Sequence, residues 1–258
     1  MNMIDCTIGG HVAVLTLNNP PANTFTAAGL LQLSAVVGEL NRDMNVYAIV
    51  VTGQGDKFFS AGADLKTFAD GDKVQARLMA QRFGAAFEAL QEARPAVIAA
   101  INGYAMGGGL ECALACDLRI AEEQAQMALP EPSVGLLPCG CGTQTLPWLV
   151  GEGWAKRMIL TNERINAETA LRIGLVEQVV ARGAARQAAL DLAQKASSLS
   201  PRAVAYSKGL IHLARQGTPR AAALSLERER FVDLFEGEDQ REGVNAFFEK
   251  RNPDWKNA

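Results

Sequence analysis

Two carboxylates and two runs of very small residues are the groups in this chain whose types and spacing could do chemistry. Glu111 follows Gly107-Gly108-Gly109-Leu110 and opens the apolar stretch LECALACD, so its side chain is expected to be at least partly buried. Glutamate is rarely buried without a partner or a task. Glu131 stands between Pro130 and Pro132, in stiff backbone after an apolar strand. Taken singly, each reads equally well as a cap or an ion-pair partner. Together they would supply a paired acid and base, titrating as one coupled system if they lie close.

The small-residue runs offer backbone donors. At Gly107-Gly108-Gly109 a strand turns into a helix whose first N–H groups have no intrahelical acceptor, and the helix dipole favours negative charge there. The absent β-carbons let a ligand approach the backbone. Ser60-Ala61-Gly62-Ala63-Asp64 has the same character after another buried strand. Alone, either run is an ordinary tight turn. Two such N–H groups converging on one oxygen would form an oxyanion hole, worth ~3–4 kcal/mol per donor. Convergence is a property of the fold.

Other chemistries lack their residues. The glycine runs do not fit G-x-G-x-x-G, and G-x-x-x-x-G-K-[ST] is absent. A Ser-His-Asp triad would have to recruit His11 from a hairpin or His212 from the helical tail, with no G-x-S-x-G elbow. Cys112, Cys116, Cys139 and Cys141 have C-x3-C and C-x-C spacings, unlike zinc knuckles, and read as buried or loop thiols with no metal.

The elements that must position these groups alternate. Cys6–Ile8 and Val12–Leu17 predict a hairpin around Gly9-Gly10, and Leu30, Leu33, Val37 and Leu40 a helix capped by Thr24 or Thr26. Val46–Val51 and Ala96–Ile101 are short apolar runs of buried-strand type. Residues 71–93 predict a helix stopped before Pro95, and Leu118–Ile120 begins another strand. This is an α/β pattern with crossovers. Beyond about residue 185 the composition turns helical, with a solvated charged face, as an oligomerisation or lid element would require. No internal repeat is visible.

Composition narrows the function class. With 25 Lys+Arg against 28 Asp+Glu and a pI near 5.6, the chain does not look like a nucleic-acid binder. It has no apolar run of about 18 residues to span a bilayer. The N-terminal stretch shows no basic region followed by an apolar one, so no signal peptide is expected. Five cysteines, an odd count, fit reduced thiols in a cytoplasmic compartment. Only two histidines are present, so acid–base chemistry must rest on carboxylates and backbone groups.

The segments FFSAGADLK, AAINGYAMGGGLECALACDLRIA, LPEPSVGLLPCGCGTQ and EGVNAFFEKRNP, in that order, resemble the signature blocks of the enoyl-CoA hydratase/isomerase (crotonase) superfamily over nearly the whole chain. The resemblance implies a spiral core of repeated ββα units, set here at residues 1–190. It also implies a helical C-terminal oligomerisation region, 191–258, building a homotrimer or a dimer of trimers. It implies an acyl-CoA substrate, no cofactor beyond the CoA of that thioester, and neither nucleic acid nor membrane as partner. Carried over by position, the N–H groups of Ala63 and Gly108 correspond to the oxyanion hole, and Glu111 and Glu131 to the two hydratase glutamates. Ala61, Asp64, Leu65 and Lys66 fall in the stretch lining the CoA groove. Lys57 corresponds to a position near the CoA phosphates, and Lys250 to a tail that reaches a neighbouring subunit's ligand. Departures are Cys139 and Cys141 at positions of small residues, Thr145 where arginine is common, and no basic residue in NPPANTFT.

The expected activity is reversible syn addition of water to a trans-2-enoyl-CoA, giving a 3-hydroxyacyl-CoA. The rivals are Δ3,Δ2-enoyl-CoA isomerisation, hydration of a branched or carboxylated enoyl-CoA, and a non-catalytic scaffold that keeps the fold.

Overall fold

The computed structural model describes residues 2–257. Its sheets follow directly from the strand patterns. Strand β1 (Ile4–Gly9) pairs antiparallel with β2 (Val12–Leu17), and β2 then lies parallel to β3 (Ala48–Gly53). All six residues of β3 are buried, as expected of a parallel strand covered on both faces. Strands β5 (Ala96–Ile101), β7 (Leu118–Glu122) and β10 (Gln178–Val180) extend the sheet in parallel, in the order β1-β2-β3-β5-β7-β10.

A second, four-stranded sheet has the order β4-β6-β8-β9, built from β4 (Phe58–Ser60), β6 (Tyr104–Met106), β8 (Gln126–Ala128) and β9 (Ile165–Asn166). The chain alternates between the sheets. β3 and β4 lead to helix α2 (Lys73–Glu92), β5 and β6 to α3 (Gly108–Leu114), and β7 and β8 to α4 (Gly142–Leu160). Each turn is therefore a ββα unit, and three stacked turns make a spiral core. At one corner between the sheets, buried Asn102 donates from Nδ2 to the carbonyls of Gly53 (3.0 Å) and Gly55 (2.8 Å) and accepts the Gly53 N–H.

Side-chain alternation decides what covers each face of the large sheet. Ala13, Leu15, Ile49, Val51, Val97 and Ala99 face the main core. There they meet α1 (Ala27–Arg42), which buries Leu30, Leu33, Val37 and Leu40, and α2, which buries Met79, Phe83, Phe87 and Leu90. Thr26 caps α1 by accepting the Gly29 N–H at 3.1 Å, and Asp72 caps α2 through the Val74 N–H at 2.7 Å. Val12, Val14, Ala48, Val50, Ile98 and Ile120 face the other way, onto Ala185, Ala189 and Ala193 of α6 (Ala185–Ser197). Small residues four apart let that helix lie close on the strands, so α6 runs across residue 190 as part of the sheet's own packing.

The helices α7 (Pro201–Arg215), α8 (Arg220–Asp233) and α9 (Glu238–Glu249) complete the chain. They dock near the N-terminal ends of the strands. Lys208 reaches the Pro95 carbonyl (3.1 Å) and Asp117 (2.7 Å), and Tyr47 donates to the Trp255 carbonyl (3.4 Å). Phe231, Phe235, Phe247 and Phe248 remain exposed on this region. No helix among the described residues is long and apolar enough to cross a membrane.

Candidate active site

The site forms where the second strands of successive spiral turns run out into loops. Gly62, in the loop after β4, has φ +86°, and a β-carbon there would lie 2.6 Å from the Met106 carbonyl and 3.0 Å from the Gly108 nitrogen. Only glycine suits that backbone and that approach. The loop carrying Ala63 is thereby pressed against the first turn of α3. A bridge between Phe25 and Ala63 fixes its far side: Phe25 N–H donates to the Gly62 carbonyl (2.7 Å) and Asp64 N–H to the Phe25 carbonyl (3.1 Å). The Ala63 N–H thus turns away from that bridge, while Gly108 opens α3 with its N–H beyond the reach of the intrahelical ladder.

Glu111 lies one turn further along α3 and is 2% exposed. Its Oε1 accepts three backbone N–H bonds, from Gly140 (2.9 Å), Cys141 (2.9 Å) and Gly142 (2.8 Å), at the start of α4. A long-range cradle at a helix N-terminus therefore fixes one carboxylate oxygen. The other, Oε2, faces the space beside Gly140, where a β-carbon would lie 3.2 Å from it and 2.5 Å from the Phe87 ring. Cys141 adds a bond from its thiol to the Glu111 carbonyl at 3.3 Å.

Glu131 begins a 3-10 turn, Glu131–Val134, directly after β8. Its Oε1 lies against Gly107, whose φ is +52°, and its Oε2 is buried with no hydrogen-bond partner in the protein. Burial above all, with a smaller push from the charge of Glu111 and against a backbone hydrogen bond that lowers it, raises the Glu131 carboxyl to about 7. The two carboxylates are thus electrostatic neighbours with different environments, one tied by three donors and one with a buried oxygen that has no protein partner. Cys139 shares their field. Partial enclosure, then the charges of Glu111 and Glu131, push its thiol up to about 11.

Phe83 and Phe87 close the floor. Phe83 lies 2.8 Å from where a Gly108 β-carbon would be, and both rings meet Phe25 edge-on at 5.9 and 5.7 Å. Any methyl group at Gly108 would collide with that floor.

The other predicted residues are placed around this centre. Ala61 N–H is engaged with the Ala22 carbonyl (2.9 Å), and Asp64 caps the 3-10 turn Leu65–Phe68 by accepting the Lys66 N–H (3.1 Å). Leu65 and Lys66 are exposed beside the loop. Lys57, at the opposite end of β4, sits over the Phe58 ring at 5.4 Å. Lys250 ends α9 with φ +55°, on the segment docked near the strand N-termini, and within one chain it is not brought to the carboxylates. The cradle at residues 140–142 is the functional feature that sequence reading misses; its signal is the GCG run just before a polar helix start. A cavity of about 860 Å³ lies elsewhere, between Leu118, Trp148, Val204 and Trp255.

The sequence profile of the enoyl-CoA hydratase/isomerase family matches residues 7–258. The short-chain-enoyl-CoA hydratase of Clostridium acetobutylicum is 40% identical, covering 94% of this chain and 93% of its own. The structure of DspI from Pseudomonas aeruginosa superposes with a TM-score of 0.96 at 65% identity, covering 99% of this chain and 97% of that one. An enoyl-CoA hydratase structure from Bacillus anthracis gives a TM-score of 0.95 at 37% identity, covering 99% and 100%.

Proposed function

The chain belongs to the enoyl-CoA hydratase/isomerase family, and we propose that it is an enoyl-CoA hydratase, adding water reversibly and syn across a trans-2-enoyl-CoA to give a 3-hydroxyacyl-CoA. The observation that carries this reading is the pair of electrostatically coupled carboxylates, Glu111 and Glu131, beside the loop of Ala63 and the helix start at Gly108.

In this reading the Ala63 and Gly108 N–H groups receive the thioester oxygen as negative charge builds on it, each worth ~3–4 kcal/mol to the transition state. The α3 dipole supports the Gly108 donor. Glu131, with its carboxyl raised to about 7, is poised to carry a proton near neutral pH and delivers it to the α-carbon. Glu111 holds the attacking water with its free Oε2 and takes the proton that the water loses. Oxygen bonds to the β-carbon, the proton from Glu131 bonds to the α-carbon, and proton exchange through water resets the pair.

Ala61, Asp64, Leu65 and Lys66 line the CoA groove in this proposal, and Lys57 approaches its phosphates. Lys250 acts in a neighbouring subunit's site, which requires a homotrimer or a dimer of trimers. The exposed phenylalanines of the C-terminal helices suit such an assembly. Five free thiols suit a cytoplasmic compartment.

The test is product analysis across a panel of acyl-CoA thioesters of different length and branching. Conversion of trans-2-enoyl-CoA to 3-hydroxyacyl-CoA is expected. Double-bond migration without hydration would assign an isomerase, and no turnover of any thioester would leave a scaffold.

A further inference from the structure

Outside the carboxylate site, a strongly basic basin of about 400 Å³ lies between α4 and α5 (Ala167–Arg172), lined by Arg157, Arg164 and Arg172. Three guanidinium groups face it, against one carboxylate, Glu163. Glu163 is already committed, since it pairs with Arg157, which also stacks on Trp154 at 4.8 Å. Arg164 lies over the Tyr104 ring at 5.7 Å, and Arg172 donates to the Thr169 hydroxyl at 3.4 Å. Neither Arg164 nor Arg172 forms an ion pair among the described residues.

Two uncompensated cations beside a third repel one another, and the repulsion is relieved by an anion between them. Guanidinium presents its donors in a planar fork that matches phosphate oxygens, and such charge-assisted pairs are stronger than neutral hydrogen bonds. The aromatic faces of Trp154 and Tyr104 hold two of the three forks in place, which reduces the ordering cost of binding. Gln126 adds a side-chain amide at the rim.

We propose that the Arg157–Arg164–Arg172 basin is a phosphate site separate from the reaction centre, taking a phosphate dianion either free or as the phosphomonoester of a nucleotide. The site lies at the β9 end of the small sheet, whereas Ala63 and Gly108 follow the opposite ends of β4 and β6.

Isothermal titration of the full chain with inorganic phosphate, AMP and adenosine, in low-salt buffer and with CoA present at saturation, tests this. The expected result is saturable binding of phosphate, of AMP or of both, and none of adenosine. Binding weakens roughly tenfold in Arg172→Gln and further in Arg164→Gln/Arg172→Gln, as loss of hydrogen bonds between charged partners requires. Phosphate binding without AMP assigns a free anion; binding of both assigns a nucleotide terminus. Arg172 contributes a single long side-chain bond, so its variant keeps the fold, and circular dichroism checks this. Absence of saturable binding with CoA at saturation, or binding unchanged in the double variant, would each overturn the proposal. None of these outcomes depends on whether the carboxylate pair hydrates enoyl thioesters.

Discussion

A β-carbon on Gly107 would sit 2.8 Å from Oε1 of Glu131, so the residue that starts the α3 turn also sets how close the second carboxylate comes. Gly107 has φ +52° and ψ −127°, backbone that L side chains rarely adopt. Gly107→Ala is therefore expected to cost about 1–3 kcal/mol of stability in backbone strain and to push Glu131 away from the reaction centre. Urea unfolding together with steady-state kinetics checks this, with kcat/KM expected to fall about a hundredfold. Wild-type kinetics in a folded variant would show that Glu131 does not need that position.

The Glu131 carboxyl provides a pH signature. Its folded-state value of about 7 lies above its ordinary 4.5. Between those values the folded chain holds a proton that the unfolded chain has released, so this group's contribution is fully present below about 4.5. It is lost as pH rises through about 7. Glu131→Gln should be more stable than wild type at pH 8, by at most about 3 kcal/mol, with the advantage shrinking toward pH 5. Denaturant titrations at several pH values measure the difference between the two proteins. A constant difference across that range contradicts the assigned shift. In activity, hydration kcat/KM should decline above about pH 7 as the acid loses its proton.

Glu111 is expected to combine a chemical and a structural role. Removing its side chain leaves the Gly140, Cys141 and Gly142 N–H groups without their acceptor; the Gly142 donor is buried and costs about 1–3 kcal/mol if nothing replaces the acceptor, while the half-buried Gly140 and Cys141 donors cost less. Glu111→Gln keeps a carbonyl oxygen for all three. Thermal unfolding should show Glu111→Ala well below wild type and Glu111→Gln close to it, although both are impaired in turnover. Equal stability of the two variants would mean that the cradle contributes nothing to the fold.

The pair Arg119–Glu177 ties β10 to the rest of the sheet. Arg119 has a side chain 3% exposed, donates to the Leu175 and Cys116 carbonyls, and meets Glu177 at 2.5 Å. Glu177→Ala leaves a buried guanidinium without its counter-charge, and unfolding free energy should drop by about 1–2 kcal/mol, less than for a fully buried pair because the Glu177 side chain is 38% exposed. Chemical denaturation of that variant decides the point, and a change under about 0.5 kcal/mol would count against it.

Local features were readable from the sequence where neighbours along the chain determine the structure. The helix of Leu30, Leu33, Val37 and Leu40 and the strand Ala96–Ile101 come from short-range pattern, which narrows the helix cap to Thr24 or Thr26, and the structure selects Thr26. The spiral itself was not readable as a repeat. Its three units share a shape but carry helices of 20 and 7 residues and, in the third, a 19-residue span broken at Gly151, so no sequence period survives. The Glu111 cradle was hidden for a related reason. It joins residues 29 to 31 positions apart, and nothing near Glu111 states where α4 will begin. Helix α6 was merged by composition with the tail, because its Ala185, Ala189 and Ala193 stripe marks close packing only once the sheet beneath it is known.

The division of labour between the two carboxylates is tested most directly by the steady-state rate of crotonyl-CoA hydration in Glu111→Gln, Glu131→Gln and the double variant. Each single change is expected to lower kcat by roughly 10²–10⁴ with the fold intact. The double variant is expected to be little worse than the poorer single one, because the two groups serve one addition step as a unit. A single variant that retains the wild-type kcat, or losses that simply multiply in the double variant, would contradict the account.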